Sequence, residues 1–161
     1  MENVVILKGK INLATLCLRL CEEMEEHYVD SSYRLKPMPK DEAFEKEVAM
    51  DEDVYRALYA AMYGMIDIFH KGNDEIVIST YRNGITIAGL EIESKDLYAL
   101  CSVENNKFLI QRSRLGIALA FLKQEQVKIE QVYGGERDCI GFAFPNEVEK
   151  QYTETASIEF G

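Results

Sequence analysis

The chain has few of the parts from which a recognisable active site is built. Two histidines supply all the imidazole in 161 residues, and neither His27 nor His70 sits in a nucleophile or metal-ligand motif. The four cysteines (Cys17, Cys21, Cys101, Cys139) lack the close, regular spacing of a disulfide framework. A chain of this length also needs no such staples, so free thiols in a reducing cytoplasm are expected. The ten glycines never form a phosphate-cradling pattern. No apolar run approaches the ~20 residues of a membrane helix. The short Val4–Leu7 run follows an acidic residue and precedes no small-residue cleavage site, which argues against a secretory leader. Basic residues are scarce too: 18 Lys+Arg face 28 Asp+Glu, a net charge of −10. That balance speaks against a dedicated phosphate-backbone binder and against attraction to anionic membrane.

What is present is an ordinary globular composition, 47% hydrophobic, with length enough for one core. The pattern predicts a single α+β domain over 1–145 and a polar C-terminal tail over 146–161, either flexible or supplying an edge strand. The architecture expected is N-terminal helices packed on a largely antiparallel β-meander interrupted by one helix. A short buried strand fits 3–7. Asn12 caps a helix over about 13–28, whose stripe runs through Leu13, Leu16, Cys17, Leu20 and Met24. Residues 29–40, with Pro37 and Pro39, read as a connector. Asp41 opens a second helical stretch, and Asp51 caps a longer helix to about Phe69, stopped by Gly72. From 74 the period becomes two, and Asn83-Gly84 marks a hairpin. Further strands are expected at about 97–104 and 107–112 around Asn105-Asn106. A helix capped by Ser113 fits 114–125, and strands at 127–133 and 138–144 flank Gly134-Gly135.

The helix at 51–69 is the most informative element. Tyr55, Tyr59 and Tyr63 recur at four-residue spacing, and between Arg56 and Asp67 no charge appears. Nearly the whole circumference is apolar or amphipathic, so the helix is either threaded through a core or buried by a partner. Tyr and Met suit interface cores. This marks Tyr55, Tyr59, Met62, Tyr63 and Ile66 as the partner-binding face. A second, weaker site is Arg112 with Arg114, two guanidiniums beside the exposed N–H groups of a helix start, which is chemically an anion site. Cys17 and Cys21 share a helix face, but two further metal ligands are not at hand, and buried packing explains both. His70 at a helix end reads as a cap. Carboxylate pairs such as Glu22/Glu26 and Asp51/Asp53 sit in polar stretches and read as solvated faces, and no calcium loop is formed. No catalytic residue, metal or cofactor is therefore assigned.

These features lead to a noncatalytic protein-interaction or scaffold module, expected as a homodimer through the 51–69 helix and open to another protein partner. Membrane and nucleic acid are not expected partners. The alternative is a small-ligand-binding or enzymatic α+β domain with a pocket between sheet and long helix, its polar contacts from tyrosines and Arg112 or Arg114. A further alternative is an acidic nucleic-acid mimic. The charge is uneven: residues 1–54 hold 13 acidic and 7 basic residues, residues 74–150 hold 12 and 9. A local anion site in the second half is therefore compatible with the low pI.

Overall fold

Two-residue alternation builds a five-stranded sheet whose isoleucine face is shared with three helices. The computed structural model describes residues 9–27, 34–70, 75–102, 114–132 and 139–145. Along the chain these form β1 (Lys10–Asn12), α1 (Leu13–His27), β2 (Arg34–Met38), a 3-10 turn (Asp41–Glu45) and β3 (Glu47–Ala49). Next come α2 (Glu52–Phe69), β4 (Glu75–Tyr81), β5 (Gly84–Ala88), α3 (Ser94–Cys101), α4 (Arg114–Gln124), β6 (Lys128–Val132) and β7 (Cys139–Ala143). The main sheet has the order β2-β4-β5-β7-β6, and β1 and β3 form a small antiparallel ribbon. All main-sheet pairs are antiparallel except β2 with β4. The α+β class and the largely antiparallel sheet read from the sequence are thus the observed ones.

Register explains the two faces. Ile85, Phe142 and Ile129 align across β5, β7 and β6, and Ile78, Ile87 and Ile140 align one step along. All six are buried in one cluster with α1, α2 and α4. The opposite face carries Ser79, Thr86, Gly141 and Glu130 in register. There the Tyr81 ring lies across Gly141, where a Cβ would come within 2.6 Å of the ring, and its hydroxyl donates to the Glu130 carboxylate at 2.7 Å. Burial first, and then that carboxylate, push the Tyr81 phenol pKa up.

Local chemistry sets the ends of the helices. The Asn12 carboxamide oxygen accepts from the Thr15 N–H at 3.1 Å, while its amide donates to the Phe44 carbonyl at 2.8 Å, so one side chain caps α1 and ties down the 3-10 turn. Asp51 accepts from the Val54 N–H at 2.8 Å and starts α2 as the sequence predicts. At the far end the His70 N–H and Nδ1 both reach the Ile66 carbonyl, at 3.0 and 2.6 Å, so His70 is a C-terminal cap. Glu91 N–H donates to the Phe69 carbonyl at 3.1 Å, which fixes that end of α2 against the segment after β5.

Four local expectations are corrected. The 29–40 connector contains β2: Pro37 is tolerated because β2 is an edge strand, where one N–H of the ladder can be absent. The stretch after Asp41 is a single 3-10 turn followed by β3, since Leu13 N–H and Met50 N–H pair with the Lys46 and Gly9 carbonyls. Residues 97–101 belong to the short helix α3 and not to a strand; Ala99 and Leu100 are buried while Tyr98 is exposed. The hairpin turn is Arg82-Asn83, not Asn83-Gly84. Gly84 already pairs with Tyr81, and Arg82 takes the positive φ of 45°. The expectations on 3–7, 107–112, Gly72, Asn105-Asn106, Ser113, Gly134-Gly135 and the tail over 146–161 lie outside the described residues.

Candidate functional site

Gly64 of α2 packs against Leu115 of α4. A Cβ there would stand 3.2 Å from the Leu115 Cβ, so a larger side chain would have to displace Leu115 at the start of α4 by a few tenths of an ångström. On one side of this contact the surface opens into a groove of about 640 Å³, within the range of small-molecule sites. It is lined by His27, the last residue of α1, by Arg114 and Leu115 opening α4, and by Tyr59, Ala60, Tyr63, Gly64, Asp67 and Ile68 of α2. Tyr59, Tyr63 and Asp67 follow at four-residue spacing, which places them one above another on the helix.

The polar groups of the groove are few and specific. The Tyr59 hydroxyl lies 2.6 Å from His27 Nδ1 and 3.4 Å from the Glu23 carbonyl, and His27 Nδ1 is 2.9 Å from that same carbonyl. The two rings meet edge to face with centroids 5.7 Å apart, and Tyr59 and Tyr63 are tilted by 32° at 6.1 Å. A carbonyl only accepts, so the 2.9 Å contact is a hydrogen bond in the tautomer with the proton on Nδ1, whose other polar atom is Nε2. Arg114 is exposed and adds a guanidinium at the start of α4, the positive end of its dipole. Asp67 is the one carboxylate among the lining residues. Neither Arg114 nor Asp67 makes an ion pair among the described residues. Aromatic faces, a planar cation, a helix start and an imidazole suit a small molecule with a flat ring and an anionic group.

The predicted interface residues separate into two groups. Tyr55, Met62 and Ile66 are buried inside the chain, at 4%, 0% and 0% exposure, and offer nothing to a partner. Tyr59 and Tyr63 line the groove. The Tyr55 hydroxyl is buried, with no partner within hydrogen-bonding geometry among the described residues; burial first, then the Glu23 carboxylate, push its pKa up. Of the weak anion pair, Arg114 reaches the groove, and Arg112 lies outside the described residues. His27, Asp67 and Gly64 carried no functional assignment in the sequence. The signal available for Asp67 was the continuation of the Tyr55-Tyr59-Tyr63 spacing by one more turn.

The thiols stand apart from this site. Cys17 and Cys21 are buried, and Cys17 Sγ donates to the Ile78 carbonyl at 3.2 Å. Burial pushes their pKa values up to about 11 and about 12, so both are neutral packing groups. Cys101 is half-buried, with its pKa raised by burial. Nearby, burial lowers the pKa of Lys123, whose ammonium donates to the Ser102 carbonyl. Among the described residues no group of three or more His, Cys, Asp and Glu could hold a metal ion, and no helix is long and apolar enough to cross a membrane.

With this geometry in hand, the fold has informative relatives among solved structures. The chain is similar to the catalytic domain of the histidine kinase ThkA in a nucleotide-free form, with a TM-score of 0.59 at 17% identity over 88% of this chain and 97% of that one. It is similar to the cytoplasmic segment of the histidine kinase QseC, with a TM-score of 0.53 at 8% identity over 89% and 82%. The blue-light-activated histidine kinase of Erythrobacter litoralis gives 0.52 at 8% identity over 88% of this chain and 44% of its own. No family model matches the chain, and no curated protein matches it. The fold is therefore the α/β sandwich of histidine kinase catalytic domains. This corrects the expectation of a noncatalytic scaffold and, with it, the protein-binding assignment. The Tyr55, Met62 and Ile66 positions of α2 that suggested an interface are buried in the chain's own core, and the fold is shared with domains described as histidine kinase catalytic domains.

Proposed function

We propose that the chain is a small-ligand-binding domain of nucleotide class, with its ligand in the groove between α2 and the start of α4. The single observation that carries the reading is the groove itself: about 640 Å³, floored by Gly64 and Leu115, with Tyr59 and Tyr63 on one side and Arg114 at a helix start. Tyrosine faces take a purine ring, while the Arg114 guanidinium at the start of α4 takes phosphate oxygens. The overall charge of −10 does not oppose this, because a phosphate at the groove meets Arg114 at contact distance while most acidic groups are farther away and screened.

The test is thermal and calorimetric titration of the full chain with ADP and ATP, with and without magnesium. Saturable binding should raise Tm by mass action, with a gain of about 2.7 kcal/mol at a hundredfold excess over Kd. Arg114→Ala should weaken binding at least tenfold, since hydrogen bonds to a charged group contribute about 1.5–3 kcal/mol. Absence of any shift at millimolar nucleotide, or an unchanged Kd in Arg114→Ala, overturns the reading.

A further inference from the structure

The groove holds a second group able to become cationic, and its hydrogen bonds decide which of its atoms titrates. His27 ends α1, where its Nδ1 is 2.9 Å from the Glu23 carbonyl of the preceding turn and 2.6 Å from the Tyr59 hydroxyl of α2. If Nδ1 carried a lone pair, it would face the carbonyl lone pair at 2.9 Å, which is repulsive. With Nδ1 protonated, that contact is a hydrogen bond, and the Tyr59 hydroxyl is left to donate to the Glu23 carbonyl at 3.4 Å. The edge-to-face contact with Tyr59 fixes the ring plane as well.

We infer that His27 is a specificity-determining contact of this groove, offering Nε2 to the anionic group of the ligand, and that Tyr59 is the residue that positions it. The inference rests on the nucleotide reading of the groove. With Nε2 protonated the ring is a charged donor to a phosphate oxygen; without that proton Nε2 presents a lone pair that repels the same oxygen. Binding of an anion therefore takes up a proton, and affinity falls as pH rises. The charged and titratable groups facing the imidazole come from three elements: Glu23 on α1, Tyr59, Tyr63 and Asp67 on α2, and Arg114 on α4.

The experiment has a ligand-free arm and a ligand arm, both on the full chain. Proton–nitrogen correlation spectra of the imidazole at pH 8 should show His27 with Nδ1 protonated; an Nε2-protonated ring overturns the inference without reference to any ligand. The Kd for ADP is then measured from pH 5.5 to 8 in wild type, His27→Gln and Tyr59→Phe. ADP's own phosphate titration is common to all three and cancels in the comparison. Wild type should lose about tenfold more affinity across the window than His27→Gln, the size of a charge-assisted hydrogen bond. Tyr59→Phe, which keeps the ring and deletes the hydroxyl, should bind about threefold more weakly at pH 5.5 and unchanged at pH 8. Parallel pH profiles in wild type and His27→Gln overturn the role of His27 while the groove reading stands. An equal loss at both pH values in Tyr59→Phe overturns the positioning role. Failure of ADP to bind wild type at any pH, with the tautomer as stated, removes the nucleotide reading and this inference together.

Discussion

Four thiols sit in one chain but in two environments, and the difference sets their behaviour. Cys17 and Cys21 are buried, with pKa values raised to about 11 and about 12, chiefly by burial. A raised folded-state pKa means the protonated thiol is favoured by folding. That contribution is complete below the unfolded value of 9.0 and is lost as pH climbs through about 11 to 12. Urea midpoints of the wild type should accordingly fall more steeply between pH 9 and 12 than those of the Cys17→Ala/Cys21→Ala variant. Equal slopes would show that burial does not govern these groups. Thiol labelling at pH 8 gives a second check: Cys101 and Cys139, both half-buried, should react before the buried pair. Residue-scale reading of the sequence was sound here, because an apolar stripe at helical spacing already places Cys17 and Cys21 inside. It could not place His27, because its partner Tyr59 is 32 residues away and two helices must pack before the imidazole meets the phenol.

At the scale of elements, legibility followed how local the determining contacts are. Helix α2 was read to within a residue because its Asp51 cap and its unbroken apolar surface are both local signals. Asp51→Ala should lower stability by about 1 kcal/mol in urea unfolding, the usual worth of an N-cap. The β4–β5 hairpin was equally legible from its two-residue period. Strand β2 was not, because Pro37 argues locally against a strand and only the position of β2 at the sheet edge, set by its pairing with β4, makes it acceptable. Helix α3 was missed for a related reason: Leu97 to Cys101 is a short apolar run that fits either period, and its burial pattern is decided by the core around it. The same helix–helix logic decides what the Tyr ridge of α2 does. Read alone it is an interface, but with α4 seated on Gly64 it becomes a groove wall. Gly64→Val tests this, since its larger side chain would push Leu115 and the start of α4 away. The expected cost is about 1–3 kcal/mol of stability from overpacking, together with weaker nucleotide binding. A variant with full stability and unchanged binding would show that the α2–α4 contact does not shape the site.

For the whole molecule the question is whether the groove rests on its own platform or on the entire core. The buried cluster takes residues from β1, α1, the 3-10 turn, β3, α2, β4, β5, α3, α4, β6 and β7, with Leu35 of β2 packed against it. No described element is left to unfold alone at low cost, so the groove's walls should be only as stable as the sheet behind them. Phe142 shows the dependence: it is fully buried on β7, in register between Ile85 and Ile129, with no part in the groove. Phe142→Ala should cost about 3–5 kcal/mol through lost burial and the cavity left behind. The loss should appear as one transition, with far-UV circular dichroism and tyrosine emission giving the same midpoint. Nucleotide affinity measured well below that midpoint should stay within a factor of about two, because a fold lost in one step leaves the folded fraction's groove intact. Two separate midpoints would mean that α2 and α4 open independently of the sheet. A large drop in affinity at a temperature where the variant remains folded would mean that β7 shapes the groove at a distance. The uneven charge of the chain fits the cooperative picture: the groove's permanent cation, Arg114, comes from the nearly balanced second half. Only an intact core holds it opposite His27 and Tyr59, which come from the first.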